Sequence, residues 1–277
     1  MPASKSAGFT AEWLAAREPA DRRARSEHVT RSVADLFPPD ADVKVLDLAC
    51  GTGANFFYLT GRLPSRQDWL LVDQDAELLA AMTERRRSSA MAAGVRVAVE
   101  QRDLATGGDM AGSFEGRSLV TASALLDLVS ADWLQALVVG CRRARAAMLF
   151  ALTYSGRIEC TPREEEDALI RDLVNRHQRK DKGFGPALGP TAVDAAEHAL
   201  TAAGYRVMRE PSDWVLTKAD SELQRQLIAG WAEAARAISP DRLESIAGWR
   251  ERRLSHVDAG RSDIVVGHED IAGIPSF

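Results

Sequence analysis

The sequence predicts an α/β fold: a doubly wound, mostly parallel sheet with a helical cap at the N-terminus. Helical insertions are expected after the fifth strand and before the last one. Three observations predict this. Apolar runs of strand length alternate with longer segments of helical spacing through residues 40–155. Most of the runs are apolar throughout, as strands covered on both faces are. The first run ends in a glycine turn that opens a helix, and a doubly wound sheet places its ligand site at such an edge. With 277 residues, 45% hydrophobic and 27% charged, the chain is expected to form a single folded domain over 1–277.

The elements follow in order. Residues 1–38 form the expected cap: Ala11 to Leu36 carries Trp13, Leu14, Val29, Val33 and Leu36 at helical spacing, with a break at Pro19. Pro38-Pro39-Asp40 closes it, and the core is expected over 40–155. Strands are predicted at Val43–Leu48, Trp69–Asp73, Val95–Val99, Ser118–Ala122 and Ala147–Thr153. Helices are predicted between them at Ala54–Leu63, Ala76–Ala92 and Asp132–Arg145. The alternation then stops. An insertion over 156–190 holds a helix at Arg163–Arg179 and a loop dense in Gly and Pro from Lys182 to Pro190. The remainder, 191–277, reads as a helix at Thr191–Ala203, a strand at Tyr205–Arg209, helices at Asp220–Ile238 and Pro240–Val257, and a last strand at Ile264–Val266.

Composition excludes several classes. Cys50, Cys141 and Cys160 are too few and too scattered for a disulfide framework or a metal site, so no metal is expected and the cytoplasm is the expected compartment. The N-terminal stretch is polar, with Arg17, Arg22, Arg23 and Arg25, so no export leader is expected. The longest apolar run, Ala146–Leu152, falls far short of the ~20 residues that span a bilayer, so no membrane partner is expected. A formal net charge of −5 argues against nucleic acid as partner.

The informative segment is Val45-Leu46-Asp47-Leu48-Ala49-Cys50-Gly51-Thr52-Gly53. Gly51 and Gly53 lack a Cβ, so the backbone there can turn tightly and approach a ligand. A dinucleotide site would want a third glycine where Phe56 stands. Asp47, four residues before Gly51, would repel a pyrophosphate and suits a ligand bearing an ammonium or sulfonium group. Asp73 ends the second strand about 20 residues after the turn, where a carboxylate can accept from both hydroxyls of a ribose. Asp103-Leu104 follows the third strand, with Asp103 placed to accept from an adenine amino group and Leu104 to pack on the base. Each acid taken alone reads equally as a solvated strand end; three in order after successive strands do not.

Together these segments resemble the class I S-adenosylmethionine-dependent methyltransferases, over about residues 40–155. The resemblance implies a seven-stranded sheet and S-adenosylmethionine as cofactor, with S-adenosylhomocysteine as product. It implies Gly51 and Gly53 at the methionine moiety, Asp73 on the ribose and Asp103 at the adenine; Asp47, Ala49, Gln74, Leu104 and Ser123 complete the expected contacts. Ala49 or Asn55, depending on alignment, stands where the family's loop has a further glycine. A capping helix is common in the family, and Arg17 on it can meet the methionine carboxylate.

The acceptor side is less specific. The amino-methylating signature Asn-Pro-Pro-Tyr is absent after the fourth strand; Ala122, Ser123 and Asp127 occupy that neighbourhood, which favours a small-molecule acceptor. The basic run from Asn175 to Pro186 is a candidate lid gripping an anionic acceptor, with Arg179 on it. His177, Tyr154 and Asp127 are the candidate catalytic side chains, though a methyl transfer needs a base only if the acceptor carries a proton. The expected function is methyl transfer to oxygen or nitrogen of a small, anionic metabolite. RNA or protein methylation, or cofactor binding without turnover, are the alternatives; a nicotinamide oxidoreductase is disfavoured by Phe56 and Asp47. Whether the chain is a monomer or a homodimer stays open.

Overall fold

The computed structural model describes residues 9–90, 93–106 and 111–276. Its sheet runs β3-β2-β1-β4-β5-β8-β6, with β7 also paired to β8. The strands are β1 Asp42–Leu48, β2 Arg66–Asp73, β3 Val95–Gln101, β4 Leu119–Ser123, β5 Ala147–Thr161, β6 Tyr205–Pro211, β7 Trp214–Leu216 and β8 Asp263–Pro275. β1 to β5 pair in parallel, while β8 runs antiparallel to β5, β6 and β7. The order reverses at β1, between β2 and β4, which opens a crevice at the C-terminal ends of those strands.

The helices are α1 Ala11–Ala24, α2 Glu27–Ala34, α3 Ala54–Thr60, α4 Ala76–Arg87, α5 Ala131–Ala144, α6 Asp167–Gln178, α7 Ala192–Ala202, α8 Ser221–Ile238 and α9 Leu243–Asp258. They cover both sheet faces. Val43 and Val45 of β1 pack with Val29, Val33, Phe56 and Leu79, from α2, α3 and α4. Leu46 and Leu48 pack on the opposite side with residues of α5 and α7, among them Leu134, Leu137, Val193 and Leu200. The two-residue period of the strand separates the two sets, and it assigns Asp47 to the α3 side. A third cluster joins α6, α8 and α9 to the outer half of β5 and β8 through Trp214, Trp231 and Trp249.

Several boundaries differ from the sequence expectation. Pro19 does not break the first helix but lies inside α1. The break falls at Arg25, where Ser26 caps α2 by accepting from the Val29 N–H at 3.1 Å. Docking of α1 against β7 and α8 offsets the hydrogen bond that a proline removes. β5 runs eight residues beyond Thr153, and β8 extends nine beyond Val266. Past Ser155, buried and exposed residues alternate along β5, the mark of a one-sided antiparallel strand. In β8, Gly267-His268-Glu269-Asp270 lies past the expected end of the strand at Val266 and is mostly buried despite its polar side chains. β7 was not expected at all. The helix expected from Arg163 begins at Asp167, because Glu164 and Glu166 instead bind Arg252 of α9 at 2.7 and 2.5 Å. The helix expected to reach Ala92 ends at Arg87, and residues 91–92 lie outside the described ones. Among the described residues no helix is long and apolar enough to cross a membrane.

Candidate functional site

The glycine turn after β1 is held by backbone and by one side chain. Cys50 N–H donates to the Val72 carbonyl at 3.0 Å, and Gly53 N–H to the Cys50 carbonyl at 2.8 Å. Gly51 and Gly53 sit at φ 53° and 82°, conformations that a residue with a Cβ adopts at a cost. A Cβ on Gly51 would meet Leu14 Cδ1 of α1 at 3.0 Å, so the helical cap closes directly over the turn.

Asp73 locks this turn from the neighbouring strand. Its Oδ2 accepts from Gly51 N–H at 2.8 Å and its Oδ1 from Asp75 N–H at 2.9 Å. Each oxygen thereby spends one lone pair on the backbone and keeps another. Burial pushes the Asp73 carboxyl above its ordinary range, and the Asp75 and Gly51 N–H bonds oppose that. Asp75 in turn caps α4 by accepting from the Glu77 and Leu78 N–H groups.

A cleft of about 1210 Å³, counted to its open mouth, lies over these residues. Arg17, Ala49, Gly51, Asp73, Gln74, Leu104 and Ser123, all singled out from the sequence, line it. Gly53, Asp47 and Asp103 do not. Gly53 is the N-cap of α3. Asp103 accepts from Ala105 N–H at 2.8 Å and is exposed. Asp47 is fully buried beneath the turn, where its Oδ1 accepts from Asn55 Nδ2 at 2.7 Å. Burial raises it to about 7, against the pull of Asn55 and the Arg25 guanidinium.

The three candidate catalytic side chains flank the cleft without lining it. Tyr154 is buried, and its hydroxyl donates to Asn175 Oδ1 at 2.7 Å. Asp127 is buried; burial raises it to about 6, and Arg17 and Lys182 act in the other direction. His177 lies in the last turn of α6, and burial followed by Lys182 and Lys180 lowers its proton affinity. Arg179 is the exposed C-cap of α6 and is likewise away from the cleft.

Asn55, named as an alternative at the turn, and Lys182 and Phe184 of the expected lid run also line the cleft; Leu14, Asp21 and Leu78 line it without having been expected at the site. Leu14, Arg17 and Asp21 share one face of α1 by their spacing, a signal present in the sequence. Arg17 is 8% exposed; it binds Asp21 through Nε at 2.9 Å and Nη2 at 3.2 Å, and its guanidinium lies 5.0 Å from the Trp214 ring centre.

β8 inserts antiparallel between β5 and β6 at the edge of an otherwise parallel sheet, giving the doubly wound, mostly parallel arrangement that the sequence predicted. No protein-family model and no curated protein matches the chain. Among solved structures it is similar to a cyclopropane synthase, MmaA2, from Mycobacterium tuberculosis, at 12% identity and TM-score 0.46, covering 88% of this chain and 81% of that one. It is similar to the YcgJ protein of Bacillus subtilis at 11% identity and TM-score 0.49, covering 91% and 100%. It is also similar to a geranyl diphosphate methyltransferase in complex with SAM, at 13% identity and TM-score 0.45, covering 99% and 92%.

Proposed function

We propose that this chain binds S-adenosylmethionine in the cleft and transfers its methyl group to a small-molecule acceptor, at oxygen or nitrogen. The observation that carries the reading is Asp73: a carboxylate at the end of the second strand, tied to the glycine turn and still holding outward lone pairs at the cleft wall. Two such acceptors fit the two hydroxyls of a ribose diol. Gly51 leaves the space that a Cβ would fill, Leu104 supplies an apolar wall beyond Asp73 for a base, and Arg17 offers a cation for a carboxylate. A pyrophosphate fits poorly, because Asp73 and Asp75 line the wall beside the turn and Asp47 lies under it.

When bound, the cofactor supplies a methyl carbon activated by a sulfonium. The protein's part is placement: the cap helix and the glycine turn enclose the donor, and the loop after β4 with Phe184 walls the acceptor side. Holding two reactants in line lowers the barrier by converting a bimolecular encounter into a local one. Among the described residues no histidine or tyrosine lines the cleft, while Asp21, Asp73 and Asp75 do.

Titration calorimetry with S-adenosylhomocysteine beside NAD tests the reading. Micromolar binding of the first with none of the second is expected. Binding of NAD, or of neither, would remove it.

A further inference from the structure

Among the described residues two cations line the cleft, and they differ in how they are partnered. Arg17 gives its Nε and Nη2 to Asp21, which leaves the donors of Nη1 for a second carboxylate. Lys182 forms no ion pair with a carboxylate among the described residues; its Nζ lies 3.5 Å from His177 Nδ1. Lys182 is brought inward by a loop that is already shaped. Asp181 Oδ1 accepts from Gly183 N–H at 2.7 Å and from Gly185 N–H at 3.0 Å, and both glycines take positive φ. Phe184 of the same loop packs edge-on against Trp133 at 5.5 Å, and the Trp133 indole donates to the Leu104 carbonyl at 2.8 Å. The surrounding wall is apolar, with Leu125 and Leu128 beside Phe184.

An ammonium so placed is half-buried. Burial and the nearby Lys180 both push Lys182 below the ordinary lysine range, and the attraction of Asp127 offsets only part of this. An anionic ligand group would relieve it. S-adenosylmethionine brings a single carboxylate, which Arg17 can meet, so a second cation at the same cleft has no use for the donor. Building on the methyl-transfer reading, we propose that Lys182 is the anchor for an acceptor with an apolar body and one anionic group, a carboxylate or a phosphate monoester, seated against Phe184 and Leu128. The methyl carbon leaves sulfur with the C–S bonding pair staying on sulfur. The acceptor atom's lone pair forms the new bond, and any proton on that atom passes to solvent. Lys182 touches only the anionic group, so it sets specificity and does not take the proton.

The test uses the full chain saturated with S-adenosylhomocysteine, titrated with phenylacetate, phenyl phosphate and the neutral phenylacetamide. The expected result is that at least one anion binds about tenfold or more tightly than the amide. That preference should vanish in Lys182→Met and partly return in Lys182→Arg, with S-adenosylhomocysteine affinity unchanged in both. The anion that binds more tightly tells a carboxylate acceptor from a phosphate one. The proposal is overturned if the amide matches the anions, if no probe binds, or if Lys182→Met keeps the preference. A tenfold loss of S-adenosylhomocysteine affinity in Lys182→Met would assign Lys182 to the donor and overturn it as well. Failure of the wild-type chain to bind S-adenosylhomocysteine would be seen before any probe is added, and would sink the methyl-transfer reading on which the proposal stands.

Discussion

Replacing Asp73 by alanine removes two kinds of contact at once. Toward the ligand it deletes the acceptors for both ribose hydroxyls, each such bond to a charged group being about 1.5–3 kcal/mol. Taking the lower end for two bonds gives ~3 kcal/mol, and at about 1.4 kcal/mol per decade the dissociation constant for S-adenosylhomocysteine should rise about 100-fold. Toward the protein it releases the Gly51 and Asp75 N–H groups, held at 2.8 and 2.9 Å. Leaving those donors without their acceptor should lower stability by about 1–3 kcal/mol, so binding and unfolding are measured side by side. Asp73→Asn separates the contributions. It keeps the shape and loses the charge, and its amide nitrogen cannot accept from either N–H, so an intermediate loss of about tenfold is expected. Calorimetry on the folded variants reads both numbers. A change below about threefold in a well-folded Asp73→Ala chain would refute the assignment of this carboxylate to the ligand.

Three further outcomes are expected. Gly51→Ala forces a Cβ into a residue at φ 53° and to 3.0 Å from Leu14 Cδ1, so cofactor affinity should fall with only a small loss of thermal stability; an unchanged affinity in calorimetry would show that the turn does not approach a ligand. Asp270 is fully buried and accepts from Leu152 N–H at 2.8 Å and Ser26 N–H at 2.9 Å, with Arg25 Nε at 3.5 Å. Asp270→Ala should therefore cost about 3–5 kcal/mol in urea unfolding, since it strands a buried guanidinium, and a loss under about 1 kcal/mol would contradict this. Asp47 is raised to about 7 from an ordinary value of 3.8, so its contribution to stability is fully present below the ordinary value and is lost as pH rises through about 7. Asp47→Asn cannot ionise. Relative to it, the wild-type chain should lose stability as pH rises from about 4 to about 7 and level off above that, and a constant difference in denaturant melts would contradict the assignment.

Much of the core was legible because its strands are apolar runs with little ambiguity of period. Val43–Leu48 and Ala147–Thr153 need no tertiary information to read as buried parallel strands. The outer half of the sheet was not legible. Arg157 and Glu159 on β5, and Gly267 to Asp270 on β8, are polar in sequence. They are strand only because β5 and β8 pair with each other along their length across two register shifts. Non-local pairing of this kind leaves little trace in either segment alone.

The same division runs through the site. Local sequence determined the glycine turn and the acid after the second strand, because turn chemistry and strand ends are set by neighbours in the chain. It also marked Asp47, but the direction of that side chain depends on which face of β1 packs against α3. Only the tertiary structure sends it down to Asn55 rather than toward a ligand. Arg17 reaches the cleft because α1 docks against β7 and α8, and Lys182 reaches it because a loop 135 residues after Asp47 folds back over β4's end. The chain's own periodicity decided what elements form. Long-range packing decided which of their charges face the cleft: Arg25 is buried against the distant Asp270, while Arg17 and Lys182 are carried to the cleft wall.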